Sequence, residues 1–207
     1  MRLGIFGGSF DPVHRGHLIL AACCQGQAAL DQVWFTPAAV QPLKQHGPRA
    51  SNEDREAMLR MVIAGHPHWR LCRQETERGG VSYTADTLRA LGVQWTDAEK
   101  FFLMGADTLR QLPSLKSPEV VCQLATPLVV RRAGEPEPDL SILAAWIDLN
   151  RIEKIKRQQI EMPAVPTSSS QIRQQVARGG SLKDLVPTAV AQYIAAHRLY
   201  QEGTTQN

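Results

Sequence analysis

The sequence predicts an α/β fold, a mostly parallel sheet covered by helices on both faces. Three observations lead there. Short apolar runs alternate with longer helix-like segments along most of the chain. Several of those runs stop at glycine or before a cluster of small polar residues. The 207 residues are enough for one sizeable core. Strands that alternate with helices pair in parallel and bury both faces of their sheet.

Leu3 to Phe6 forms the first apolar run, closed by Gly7-Gly8, and is read as a strand. Leu18 to Leu30, rich in Ala and Leu, is read as a helix, and Gln32 to Thr36 as the second strand. Residues 37–50 hold Pro37, Pro42, Gly47 and Pro48, which predicts a loop, ordered but movable over a ligand. Ser51-Asn52-Glu53-Asp54 has the look of a capping box before a helix that reaches Ala64. Trp69 to Arg73 is a third strand, and Ser82 precedes a helix carrying Leu88 and Leu91. Lys100 to Met104 and Pro127 to Val130 are further strands, with a turn over 133–139. Ile160 to Val165 is the last strand and enters Thr167-Ser168-Ser169-Ser170 and a helix. Residues 1–201 are read as one domain and 202–207 as a polar, disordered tail.

Composition narrows the function classes. The content of 43% hydrophobic and 21% charged residues is that of an ordinary globular protein. A net charge of +3 suits anionic small molecules and, with no Lys/Arg tract, does not support nucleic-acid binding. Cys23, Cys24, Cys72 and Cys122 show neither a disulfide framework nor a zinc spacing, and read as reduced thiols of a cytoplasmic protein. No apolar run approaches the roughly 20 residues of a membrane span, and the N-terminus lacks the features of a secretory signal. A homo-oligomer is among the states the composition allows.

In a parallel sheet, ligands sit beyond the C-terminal strand ends where the strand order reverses. The chemistry-bearing residues cluster after predicted strands, at 7–17, 37–44, 105–107 and 167–173. The strongest segment is Gly7-Gly8-Ser9-Phe10-Asp11-Pro12-Val13-His14-Arg15-Gly16-His17. It has neither the P-loop ending nor the G-x-G-x-x-G spacing, which sets aside a Walker NTPase and a dinucleotide dehydrogenase. Its glycines let backbone N–H groups approach a phosphate, and a helix starting near Gly16 adds a positive end. His14 and His17 then face one point, with Gly16 leaving space between them. Two imidazoles there suit charge stabilisation in phosphoryl-type transfer. An isolated H-x-x-H is more often a pair of surface histidines. A metal pair is the other rival, and no third ligand clusters nearby.

Ser168-Ser169-Ser170-Gln171-Ile172-Arg173 offers serine caps and a guanidinium one turn along, able to hold phosphate oxygens. Asp107, after Gly105-Ala106, can accept from ribose hydroxyls or serve as a plain helix cap. Lys44 by itself reads as a solvated loop lysine.

Together these residues resemble the nucleotidylyltransferase superfamily with the H-x-G-H signature, here His14-Arg15-Gly16-His17. Within it the chain is similar to the bacterial nicotinate-nucleotide adenylyltransferases of NAD biosynthesis, through Ser82 to Leu88, Gly105 to Leu109 and Ser168 to Arg173 as well. The resemblance implies a Rossmann-like fold, ATP used with Mg²⁺, and attack by a mononucleotide's phosphate on the α-phosphorus. It implies that Gly7, Gly8, Ser9, Phe10, His14 and His17 meet ATP, with His17 nearest the transferring group. Ser168, Ser170 and Arg173 would hold pyrophosphate, Gly105 and Asp107 the adenosine side, and Lys44 the phosphates. Tyr83, Thr84, Leu115 and Lys116 would line the site of a pyridine mononucleotide.

Two departures bear on the acceptor. Pro42-Leu43-Lys44 stands where the family has Pro-His-Lys, and Leu115 stands where an aromatic residue stacks on the pyridine. Lys116 can compensate by drawing the nicotinate carboxylate, which favours acid over amide. The rival readings are an adenylyltransferase for nicotinamide mononucleotide, for both pyridine nucleotides or for phosphopantetheine, and a silent nucleotide-binding module.

Overall fold

The computed structural model describes residues 1–42 and 47–201. Lys44 and Leu43 therefore lie outside the described residues, as does the tail over 202–207. The chain runs through β1 (Arg2–Gly8), α1 (Arg15–Gln27), β2 (Gln32–Pro37), α2 (Asn52–Ile63) and β3 (Trp69–Leu71). It continues with α3 (Gln74–Arg78), α4 (Thr84–Gln94), β4 (Glu99–Gly105), α5 (Ala106–Gln111), α6 (Pro118–Leu124) and β5 (Thr126–Arg132). The last part holds α7 (Leu149–Arg157), β6 (Ile160–Met162), α8 (Ser169–Ala177) and α9 (Thr188–Ala196). Short 3₁₀ turns cover Leu112–Ser114 and Leu140–Ala145.

All six strands pair in parallel in the order β3-β2-β1-β4-β5-β6, the predicted fold class. Alternation along each strand divides the core in two. Phe6, Phe101, Leu103, Leu128 and Val130 join α1, α2, α8 and α9 on one face. Leu3, Ile5, Phe102, Met104 and Val129 join α4, α5, α6 and α7 on the other. This period-2 division is what a sheet buried on both sides requires. At Gly4 a Cβ would lie 2.7 Å from Leu30 Cδ1 and 3.0 Å from Leu103 Cδ1, so glycine lets both leucines pack closely over β1.

The boundaries moved for local reasons. α1 begins at Arg15, three residues before Leu18, because His14 in extended conformation serves as its N-cap. It ends at Gln27 rather than Leu30, since Ala29 turns left-handed with φ +47. The last strand stops at Met162, where Pro163 removes the next ladder donor, instead of running to Val165. β3 stops at Leu71, short of Arg73. Ser51 does cap α2, accepting from Asp54 N at 3.0 Å and donating to its carboxylate.

The strand order reverses between β1 and β4. The carboxyl ends of these two strands, at Gly8 and Gly105, therefore border the crevice where such sheets receive ligands.

Candidate active site

Past Gly8 the chain turns sharply. Phe10 takes φ +46, uncommon for a non-glycine residue, and its fully buried ring fixes it there. That ring packs 5.0 Å from the His17 ring, 5.3 Å from Phe6 and 5.7 Å from Phe35. A Cβ on Gly8 would come within 3.0 Å of it. With its ring buried, Phe10 can offer a ligand only its backbone. The side chain is core, and it forms the floor on which His17 rests.

His14 and His17 sit on the first turn of α1 with their rings stacked, 3.7 Å between centroids. His17 Nδ1 accepts the His14 main-chain N–H at 3.2 Å, which leaves Nε2 of the neutral ring as the donor. His14 is 7% exposed, and its Nδ1 is buried without a well-formed hydrogen bond. A Cβ on Gly16 would sit 3.1 Å from the His14 ring, so the glycine leaves the space in which that ring lies.

Burial, followed by the nearby Arg132 guanidinium, lowers the His14 pKa from 6.5 to about 4. His14 is thus neutral in the folded protein at pH 7. The unfolded chain takes up this proton below pH 6.5 while the folded one resists it until about 4, so stability falls as the pH is lowered across that window. Between pH 7 and 5 this one group should remove about 2 kcal/mol. Urea unfolding at the two pH values checks it, since a His14→Gln variant should lose that much less. An equal loss in both would refute the buried neutral state.

The last segment folds onto the first. Ser168 caps α8 by accepting from Gln171 N at 3.2 Å, and Ser169 donates to Pro12 O at 3.0 Å. Arg173 donates from Nη1 to Asp11 O at 2.7 Å and from Nη2 to Ser170 Oγ at 3.2 Å. The two stretches singled out from opposite ends of the sequence, 7–17 and 168–173, therefore meet at one place.

Asp11 holds that meeting point together and was not recognised as its hub. Its carboxylate is almost fully buried and accepts from Arg49 N at 2.8 Å, Ala50 N at 3.1 Å and the Tyr200 hydroxyl at 2.8 Å. Arg173 stands 3.7 Å away as its counter-charge. Arg55, fully buried on α2, supports the same loop by donating to Ser9 O at 2.7 Å and to Asn52. Burial first, and then the Asp11 charge, push the Tyr200 hydroxyl pKa far up, so it remains a donor. No sequence spacing announces these partners, which lie on distant segments.

Beside this loop lies a cavity of about 170 Å³. Its wall includes Gly7 and Gly8 together with Tyr83, Thr84, Leu115 and Lys116, the four described residues expected at a mononucleotide site. The volume is on the order of the ~150 Å³ cavity that accepts a benzene ring. α4 starts at Thr84 with Tyr83 as a cap that makes no side-chain hydrogen bond, which leaves first-turn N–H groups available to an anion. Lys116 Nζ rests 4.3 Å from the Tyr83 ring centre and 3.5 Å from the Asp86 carboxylate.

Gly105 caps α5, and Asp107 falls within the first turn rather than at the cap. Asp107 pairs with Arg110 and is 68% exposed. The structure brings it to the right edge of the sheet but into contact with none of the other site residues. Among the described residues no group of three His, Cys, Asp or Glu could hold a metal ion. No described helix is long and apolar enough to cross a membrane.

Residues 5–175 match the family model described as cytidylyltransferase-like. A Rhodopirellula baltica protein named "Probable nicotinate-nucleotide adenylyltransferase" is 40% identical over 96% of this chain and 93% of its own length. A Bordetella pertussis protein of the same name is also 40% identical, over 97% of this chain and 98% of its own. Among solved structures, the Plasmodium falciparum nicotinic acid mononucleotide adenylyltransferase complexed with NaAD superposes with a TM-score of 0.73. It covers 96% of this chain and 97% of that one at 17% identity, a likeness of fold.

Proposed function

Because the chain belongs to the cytidylyltransferase-like family, and to its nicotinate-nucleotide adenylyltransferase branch by 40% identity over nearly its full length, we propose that it transfers AMP from ATP to nicotinate mononucleotide, giving deamido-NAD and pyrophosphate. The observation that carries this reading is one of adjacency. Gly7 and Gly8 wall the ring-sized cavity and lead directly into the loop that ends at the stacked histidines.

In this reading a phosphate oxygen of the mononucleotide attacks the α-phosphorus of ATP. One P–O bond forms, the bond to the β-phosphate's bridging oxygen breaks, and pyrophosphate leaves with that oxygen. No covalent bond to the protein is needed. His17 Nε2–H donates to the phosphoryl oxygens as charge shifts onto the leaving group, with neutral His14 beside it. Arg173, Ser168 and Ser170 receive the pyrophosphate, and Gly105 and Asp107 the adenosine side. Lys44 joins the phosphates from the loop. We place Mg²⁺ on the ATP phosphates themselves. The residues present fit that arrangement better than a protein-built cage, since Mg²⁺ is commonly held largely by substrate phosphates and water. When bound, the ion neutralises phosphate charge. The four free thiols suit a cytoplasmic setting.

The acceptor ring enters the cavity against Leu115 and Tyr83, with its carboxylate on the first-turn N–H groups of α4 at Thr84. Lys116 adds a charge that an amide does not use. Lys116→Ala should therefore narrow the acid-over-amide preference about fivefold, the effect of roughly 1 kcal/mol for a half-exposed ion pair. Ratios of kcat/KM for the two mononucleotides check this, and an unchanged ratio removes the role.

Pyrophosphate release by the purified protein with ATP and Mg²⁺ tests the whole reading. Release with nicotinate mononucleotide, and much slower release with nicotinamide mononucleotide, is the expected result. Equal rates would keep the chemistry and make the enzyme dual in specificity. Silence with both would overturn the assignment.

A further inference from the structure

Among the described residues Glu75 is the one carboxylate on the wall of the acceptor cavity, and it is only 6% exposed. It sits on α3, a helix of five residues, and none of the chemistry above uses it. Its Oε1 accepts the Thr87 hydroxyl at 2.6 Å, and the nearby Ser82 hydroxyl favours its charged form. Ser82 and Thr87 lie on either side of Tyr83-Thr84, the start of α4. One buried carboxylate thus holds, through Thr87, the first turn of the helix that presents the acceptor cavity with its N–H groups, with Ser82 close by on the other side.

Ser82 extends the same connection. Its Oγ accepts the Ala39 main-chain N–H at 2.9 Å, while Ser82 N donates to Val40 O at 2.9 Å. Val40 and Val81 form an isolated parallel bridge beside them. Ala38, on the stretch that follows β2, is itself part of the cavity wall. Glu75 therefore ties the start of α4 to α3 through Thr87, and Ser82, just ahead of that start, ties it to the stretch after β2. Burial raises its pKa, opposed by the Thr87 and Ser82 hydroxyls and by Arg78.

We infer that Glu75 is a positioning residue for the acceptor site, setting the start of α4 so that its first N–H groups meet the mononucleotide's carboxylate. The role rests on the proposed adenylyl transfer and adds to it a residue outside the H-x-G-H loop. A carboxylate suits the task because both its oxygens accept, toward the Thr87 hydroxyl and the neighbouring Ser82, whereas an amide turns one of its two acceptors into a donor.

The test uses Glu75→Gln, Thr87→Val and the double variant in the full chain. Hydrogen bonds to a charged group are strong enough that each single variant should raise the KM for nicotinate mononucleotide on the order of tenfold. The KM for ATP and kcat should stay within about twofold, since the histidine loop and α8 are held by other contacts. The double variant should resemble the singles, because both remove the same bond. Amide hydrogen exchange of residues 82–87 in the ligand-free protein should accelerate at least tenfold in Glu75→Gln. Parallel losses in ATP KM and kcat would make Glu75 a general stabiliser and overturn the inference, as would unchanged exchange. If the parent protein is silent with nicotinate mononucleotide, the substrate reading fails. The exchange measurement still decides whether Glu75 holds the start of α4.

Discussion

His17→Ala is expected to lower kcat by about 10²–10³-fold while changing ATP affinity by less than about threefold. The geometry gives the reason for the asymmetry. The imidazole rests on the buried Phe10 ring, and its Nδ1 is taken by the His14 N–H, so Nε2 is set before any ligand arrives. A donor fixed in advance contributes most where charge develops, and that charge is greater in the transition state than in bound ATP. Single-turnover rates combined with calorimetric ATP titration separate the two quantities. Turnover within threefold of the parent would remove His17 from the reaction. A matched loss of ATP affinity would instead make it a ground-state phosphate contact.

The second large effect is on stability. Asp11→Ala leaves the Ala50 N–H and the Tyr200 hydroxyl buried without an acceptor, strips a bond from Arg49 N, and isolates Arg173 from its counter-charge. Orphaned buried donors cost about 1–3 kcal/mol each, so the variant should lose about 3–5 kcal/mol. For a chain of this size that is a fall in Tm of about 10 °C. Tyr200→Phe removes one of these bonds and should lower Tm by only about 3 °C. Differential scanning fluorimetry of both variants is sufficient. If the two variants melt together, Asp11 is not the hub that its contacts describe.

Much of this architecture was legible from residue order. The strands could be read because both sheet faces are buried, so each strand is a nearly continuous apolar run between polar turns. α3, α5, α6, α7 and α9 could not, since helices of five to nine residues carry too few apolar anchors for a period to show. α7, for instance, buries only Ile152 and Ile155 in an otherwise charged stretch. At the site, the segments around His14 and Arg173 were visible because glycine, serine and histidine after strand ends are conspicuous. Asp11 stood in plain view within its motif, but its partners are set by tertiary contacts from 38 to 189 residues away. Glu75 was hidden by its company. Gln74-Glu75-Thr76-Glu77-Arg78 is polar throughout, and only packing decides that Glu75 turns inward while Glu77 remains outside.

The bond between Tyr200 and Asp11 also bears on the order in which the protein is made. Its two ends are 189 residues apart, so at about 5–20 residues per second a ribosome separates them by about 10–40 s. For that interval the Asp11 carboxylate has been synthesised and its hydroxyl donor has not. The loop that carries Asp11 is thus translated well before the contact that secures it. In a nascent chain this loop should stay loosely held until Tyr200 has emerged and docked.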